Sequence, residues 1–125
     1  MTNKDKQLLL LLKDLCVRLP YGVIVAYKSQ KSEGQIKLGY GNIGYVAELG
    51  RGWWIDCKPY LRPMSSMTEE EENELAKIAV MGGYNDTVFN SFVVTDWLNK
   101  KMFDYRGLIE KGLALEATEG MYKTE

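Results

Sequence analysis

A chain of 125 residues with 46% hydrophobic, 26% charged and 11% aromatic content fits one domain with a single core, and is too apolar for wholesale disorder. Its formal charge of -1 hides an uneven split, because residues 1–63 carry ten Lys/Arg against five Asp/Glu and residues 64–125 carry six against twelve. With no histidine and two cysteines, the chain lacks the commonest general base, the usual zinc ligand, His-paired nucleophiles and any disulfide framework.

In chain order, Thr2 or Asn3 caps a first helix, and Asp5 sits against its N-terminal dipole. Leu8, Leu11, Leu12, Leu15 and Cys16 recur at helical spacing; Leu19 completes the stripe and Pro20 stops it. Leu9 and Leu10 widen the apolar face, so the helix is expected to pack against more than one surface. Lys13 and Asp14 close the leucine run far short of a signal peptide or membrane span, which predicts a cytoplasmic chain. Cys16 and Cys57 are expected as reduced, buried thiols.

Tyr21 to Lys28 is β-branched and apolar on both alternating faces, as a central strand requires. QIKLG and Ile43 to Leu49 read as two further strands joined around Tyr40, Gly41 and Asn42. WWIDC is the next, continued by KPYLR, with Pro59 suited to an edge or bulge. Short connections imply an antiparallel meander of about four to five strands, with a small, partly open barrel as the alternative form of the sheet.

Thr68 and Glu71 form a capping box that opens a second helix, whose Glu69 to Glu72 run suits the positive helix end and whose exit is Gly82 and Gly83. Tyr84 to Val94 has no clear period. TDWLNKKM predicts a short helix capped by Thr95, and YRGLIEKG another closed by Gly112. Residues 1–3 and 121–125 are expected to fray. The sum is a single α+β domain over 1–125, with an N-terminal helix, an antiparallel sheet and C-terminal helices.

The side-chain inventory supplies no catalytic constellation, cofactor motif or metal site. The glycines of GYGNIGYVAELGRG are followed by neither Gly-Lys-Ser/Thr nor a helix start. Asp96 and Asp104 read as surface carboxylates, and the four glutamates as a solvated helix start. Basic and aromatic residues do interleave, and Arg51, Trp54, Lys58, Tyr60 and Arg62 are the candidate contacts to a protein partner or to single-stranded nucleic acid. Strand alternation assigns Trp53, with Ile55 and Cys57, to the core and Trp54, with Asp56 and Lys58, to the opposite face. In FDYRGLIEKG, Arg106 is expected to pair with Asp104 or Glu110 while Phe103 or Tyr105 plugs the core as a structural lock.

LPYGV at Leu19 to Val23, KPYLRPMSSMTEEE at Lys58 to Glu72 and DWLNKKMFDYRGLIEKGLALEA at Asp96 to Ala117 resemble a family of short proteins of gut anaerobes and their phage-like or mobile elements. The resemblance spans most of the chain and implies a small cytoplasmic accessory protein of mobile-element origin. No activity attaches to the family, so no residue role carries over. The expected function is non-catalytic: contacts with a protein partner or a second copy of the chain, with nucleic-acid binding through strands 40–62 as the alternative.

Overall fold

The computed structural model describes residues 2–29, 33–39, 54–80 and 87–122. Helix α1, Asn3–Arg18, starts at a reciprocal capping box in which the Thr2 hydroxyl accepts from the Asp5 amide and the Asp5 carboxylate accepts from the Thr2 amide. Pro20 turns the chain into one 3-10 turn, Leu19–Tyr21. Gly22, at φ 76°, then swings it into the sheet through backbone space that L side chains rarely enter.

Strand β1, Val23–Ser29, is central as its two-sided apolar pattern predicts, pairing antiparallel with β2, Glu33–Leu38, on one side and β3, Trp54–Leu61, on the other. Among the described residues the strand order is β2-β1-β3-β4, where β4 is Leu115–Glu116. This corrects the meander: β3 returns to β1, β4 joins β3 in parallel, and the mixed sheet is not closed into a barrel. A two-residue strand from the far end of the chain carries no period to read. The expected strand at 43–49, the indole of Trp53 and the glycine exit of the second helix lie outside the described residues. Pro59 is buried opposite Val25, and parallel pairing with β4 starts only at Tyr60, so the missing amide falls where one neighbouring strand is present among the described residues.

Helix α2, Glu69–Ile78, begins at the predicted Thr68/Glu71 capping box and lays the half-buried Leu75 and Ile78 against the protein. Helix α3, Thr87–Lys100, corrects a second expectation, since it begins well before Thr95. Its apolar residues are scattered around the circumference, so no single face announces it. It ends in a Schellman arrangement, with the Phe103 amide bonded to the Leu98 carbonyl and the Met102 amide to the Asn99 carbonyl. Met102 takes the left-handed position at φ 62°, where glycine is usual; its fully buried side chain fills the core at the cost of that strain. The predicted helix over YRGLIEKG is a series of turns, because Gly107 adopts positive φ inside it, while Gly112 at φ 75° closes the segment as expected.

One core layer joins α1 to the sheet through Leu11, Leu15, Leu19, Val23, Val25, Leu38, Cys57 and Leu61. A smaller one under α2 and α3 is built on Trp97, Leu98 and Phe103, with the Trp97 and Phe103 rings stacked at 5.8 Å. Cys57 is buried as expected, but Cys16 is exposed, since α1 turns Leu11 and Leu15 inward and leaves residue 16 on its outer side. No helix among the described residues is long and apolar enough to cross a membrane.

The expected fraying does not extend to Tyr122. Its hydroxyl accepts from the Ile24 amide at 2.8 Å and donates to the Tyr60 carbonyl at 2.6 Å, stitching β1 to β3. Burial pushes this phenol up to about 12, against the opposing Ile24 hydrogen bond and the Arg18 charge. Tyr122→Phe leaves two backbone groups without this partner and should lower stability by about 1–3 kcal/mol, read as a lower urea midpoint at unchanged slope. A pKa raised on folding gives stability that is complete below the ordinary value of 10.0 and is lost as pH rises through about 12. The midpoint should therefore fall over that window in the native chain, and this component should be missing from the phenylalanine variant.

Candidate functional site

The best-formed polar cluster starts from an i,i+4 pair on α1. Asp14 and Arg18 interleave with Leu11 and Leu15 on the inward side of the helix, so both are carried into the core and are fully buried. Such a burial is tolerable only with near-complete pairing. Arg18 donates from Nε to Asp14 Oδ2 at 2.8 Å and from Nη2 to Asp14 Oδ1 at 3.1 Å, and Nη2 also reaches the Phe103 carbonyl at 2.8 Å. Its Nη1 is buried with no hydrogen-bond partner among the described residues.

Arg106 enters the same cluster from the far end of the chain. Its Nε donates to Asp14 Oδ1 at 3.1 Å, which corrects the expected pairing with Asp104 or Glu110. Gly107 breaks the helical spacing on which the Glu110 pair depended. Asp104 is itself buried, not a surface residue, and its carboxylate accepts from the Leu108 and Ile109 amides to hold the turn. Tyr105 lies beside both guanidiniums, 5.5 Å from Arg18 and 5.1 Å from Arg106 to the ring centroid, and donates its hydroxyl proton to Asn99. One carboxylate thus faces two guanidiniums, and Arg106 Nη1 has no partner among the described residues.

Arg106 also forms one wall of a groove of about 480 Å³ along the outer side of α1, whose other lining residues are Leu12, Lys13, Cys16 and Val17. Leu9 and Val17 are exposed at 42% and 39%, so α1 presents a second apolar stripe opposite its buried one. The widened leucine face in the sequence was the signal for it. The buried Asp14–Arg18 pair was missed, although its four-residue spacing inside a leucine stripe was there to be read.

The sequence-derived contacts are dispersed. Lys58 and Tyr60 are half-buried on the sheet face turned away from Cys57, Pro59 and Leu61, and the Tyr60 hydroxyl accepts from Gln35 Nε2 at 2.9 Å. Arg62 is engaged inside the fold: its guanidinium grips Glu71 at 2.7 and 2.6 Å and lies 4.2 Å over the Phe103 ring. Trp54 belongs to β3 by its backbone, where it pairs with Ser29 beyond a register shift between Lys28 and Ser29. Its side chain and the whole of Arg51 lie outside the described residues.

Removing the Asp14 carboxylate strands two guanidiniums, so Asp14→Ala should destabilise by about 3–5 kcal/mol, whereas Asp14→Leu with Arg18→Met should recover much of that loss in urea unfolding. At the second ion pair, the Arg62 hydrogen bonds hold the Glu71 carboxyl at about 2, against a smaller opposing effect of burial. A depressed carboxylate contributes stability that is complete above its ordinary 4.5 and disappears as pH falls through about 2. Glu71→Gln should flatten the acid limb of the stability profile over that range.

Comparisons with protein-family models, curated proteins and solved structures each return no match, so the role of the site is read from its geometry.

Proposed function

We propose that this chain is a non-catalytic accessory protein that works by protein–protein contact, with the outer side of α1 as its contact surface. The observation that carries this reading is the exposed stripe of Leu9, Cys16 and Val17, flanked by half-buried Leu12, beside a groove on a helix whose opposite side is anchored in the core. A helix held on one side and apolar on the other is a rigid platform that a partner covers without reordering it. The charged groups of the Asp14 and Arg62 clusters are bonded to one another and serve the fold, which leaves apolar burial as the source of affinity.

The reading keeps the chain in the cytoplasm, with Cys16 and Cys57 as reduced thiols, and with mobile-element origin as the context that the sequence resemblance implies. Single-stranded nucleic acid is less well supported, because the Arg62 guanidinium and the Tyr60 hydroxyl are already committed to Glu71 and Gln35.

A displayed library of short helical peptides, selected against the folded chain, tests the contact surface. Selected binders should lose about tenfold or more in affinity for Val17→Asp, a change at an exposed position that leaves the urea midpoint nearly unchanged. Binders indifferent to Val17→Asp, or no binders, would remove the outer side of α1 as the contact.

A further inference from the structure

The β1–β3 ladder stops one rung short of where its register would carry it. Paired residues run from Ser29 and Trp54 to Val25 and Pro59, and the next opposed residues, Ile24 and Tyr60, are joined through a side chain instead. The Ile24 amide bonds the Tyr122 hydroxyl oxygen at 2.8 Å, that oxygen stands 2.6 Å from the Tyr60 carbonyl, and the Ile24 carbonyl lies 3.2 Å from it. One oxygen atom therefore takes the place of a direct backbone bond. It satisfies the rung and keeps it open at the same time.

The segment that delivers this hydroxyl is held by its last described residue. Among the described residues, its final backbone bond to the sheet runs from the Ala117 amide to the Leu61 carbonyl at 2.8 Å. Thr118, Glu119 and Gly120 are then exposed, a turn bond joins the Met121 amide to the Thr118 carbonyl, and Gly120 at φ 79° has open space where a side chain would stand. Beyond that turn the Tyr122 ring packs against the main core layer, so the phenol is what docks the segment.

Undocking a buried hydroxyl ordinarily strands its partners, which makes it costly. Here the partners are a donor and an acceptor on residues that the register already sets opposite each other, so withdrawal of the oxygen lets Ile24 bond Tyr60 directly and adds a rung to the ladder. Both arrangements satisfy the backbone, and what separates them is chiefly the burial of one ring. We infer that residues 118–122 form a latch with two states: docked, with the hydroxyl wedged into the seam, and released, with the β1–β3 ladder closed by one further pair. Whatever engages the released Met121 and Tyr122 pulls the seam shut, which makes this segment a control point for the sheet, separate from the outer side of α1.

The latch is tested in the full chain by the hydrogen-exchange protection of the Ile24 amide, measured by NMR relative to the Leu15 amide of the same variant. Tyr122→Phe keeps a ring in the gap without its oxygen and should lower Ile24 protection about tenfold or more, whereas Tyr122→Ala empties the gap and should leave Ile24 protected through Tyr60. Loss of that protection in a folded Tyr122→Ala chain would mean that the hydroxyl only stitches the strands, and the latch would be overturned. If the alanine variant does not fold, the native chain decides. Acetylation of Tyr122 by N-acetylimidazole, read by mass in the peptide that carries it, should depend on urea with less than about half the slope of global unfolding. Acetylation that follows the full unfolding slope would leave no separate released state and sink the proposal.

Discussion

A guanidinium taken wholly out of water sets the terms for this fold. Arg18 is carried inward by the same helical turn that buries Leu15, and once buried it must be compensated or the helix cannot dock. Asp14 supplies the charge from one turn earlier, and the Phe103 carbonyl supplies an acceptor from across the chain. The second of these bonds is the informative one, because it obliges the segment after α3 to lie against α1 in one particular setting. Hydrophobic contact alone would tolerate some sliding between these elements; a directional bond to one carbonyl does not.

The segment from Met102 to Asp104 is accordingly the place where the molecule is joined. The Met102 carbonyl accepts from the Arg62 amide, the Asp104 amide donates to the Arg62 carbonyl, and the Phe103 ring lies between Trp97 and the Arg62 guanidinium. The left-handed turn at Met102 is what redirects the chain from the end of α3 into this position beside β3. Glycine would relieve the backbone there and vacate a fully buried volume, so strain and packing pull in opposite directions at one residue.

Local chemistry was legible where one short segment decided the outcome. The Thr68/Glu71 capping box, the start and proline stop of α1, the central position of β1 and the choice of Phe103 or Tyr105 as the core plug follow from residues within a turn or two of one another. What was hidden depends on partners far away in sequence. Nothing near Arg106 indicates Asp14, and nothing near Leu115 indicates a parallel neighbour in β3. α3 escaped for a different reason: its apolar residues keep to no single face, which leaves tertiary packing, not periodicity, to define it. The candidate contacts read from basic and aromatic interleaving were sensitive to composition but blind to direction, and Arg62 turned out to face its own helix cap.

The tether at Tyr122 has a kinetic side. Its bond to Ile24 spans 98 positions of sequence, the Arg106–Asp14 bond spans 92 and the Arg18–Phe103 bond 85. Bonds of that reach close large loops, whose entropy is lost before any of the three contributes. Each such bond raises the mean sequence separation of contacts and so slows assembly, and α1 and the β1–β2 hairpin, whose contacts are local, are expected to form before these three bonds close. Until Tyr122 arrives, the seam between β1 and β3 lacks its side-chain stitch, and the first elements to form are the last to be secured.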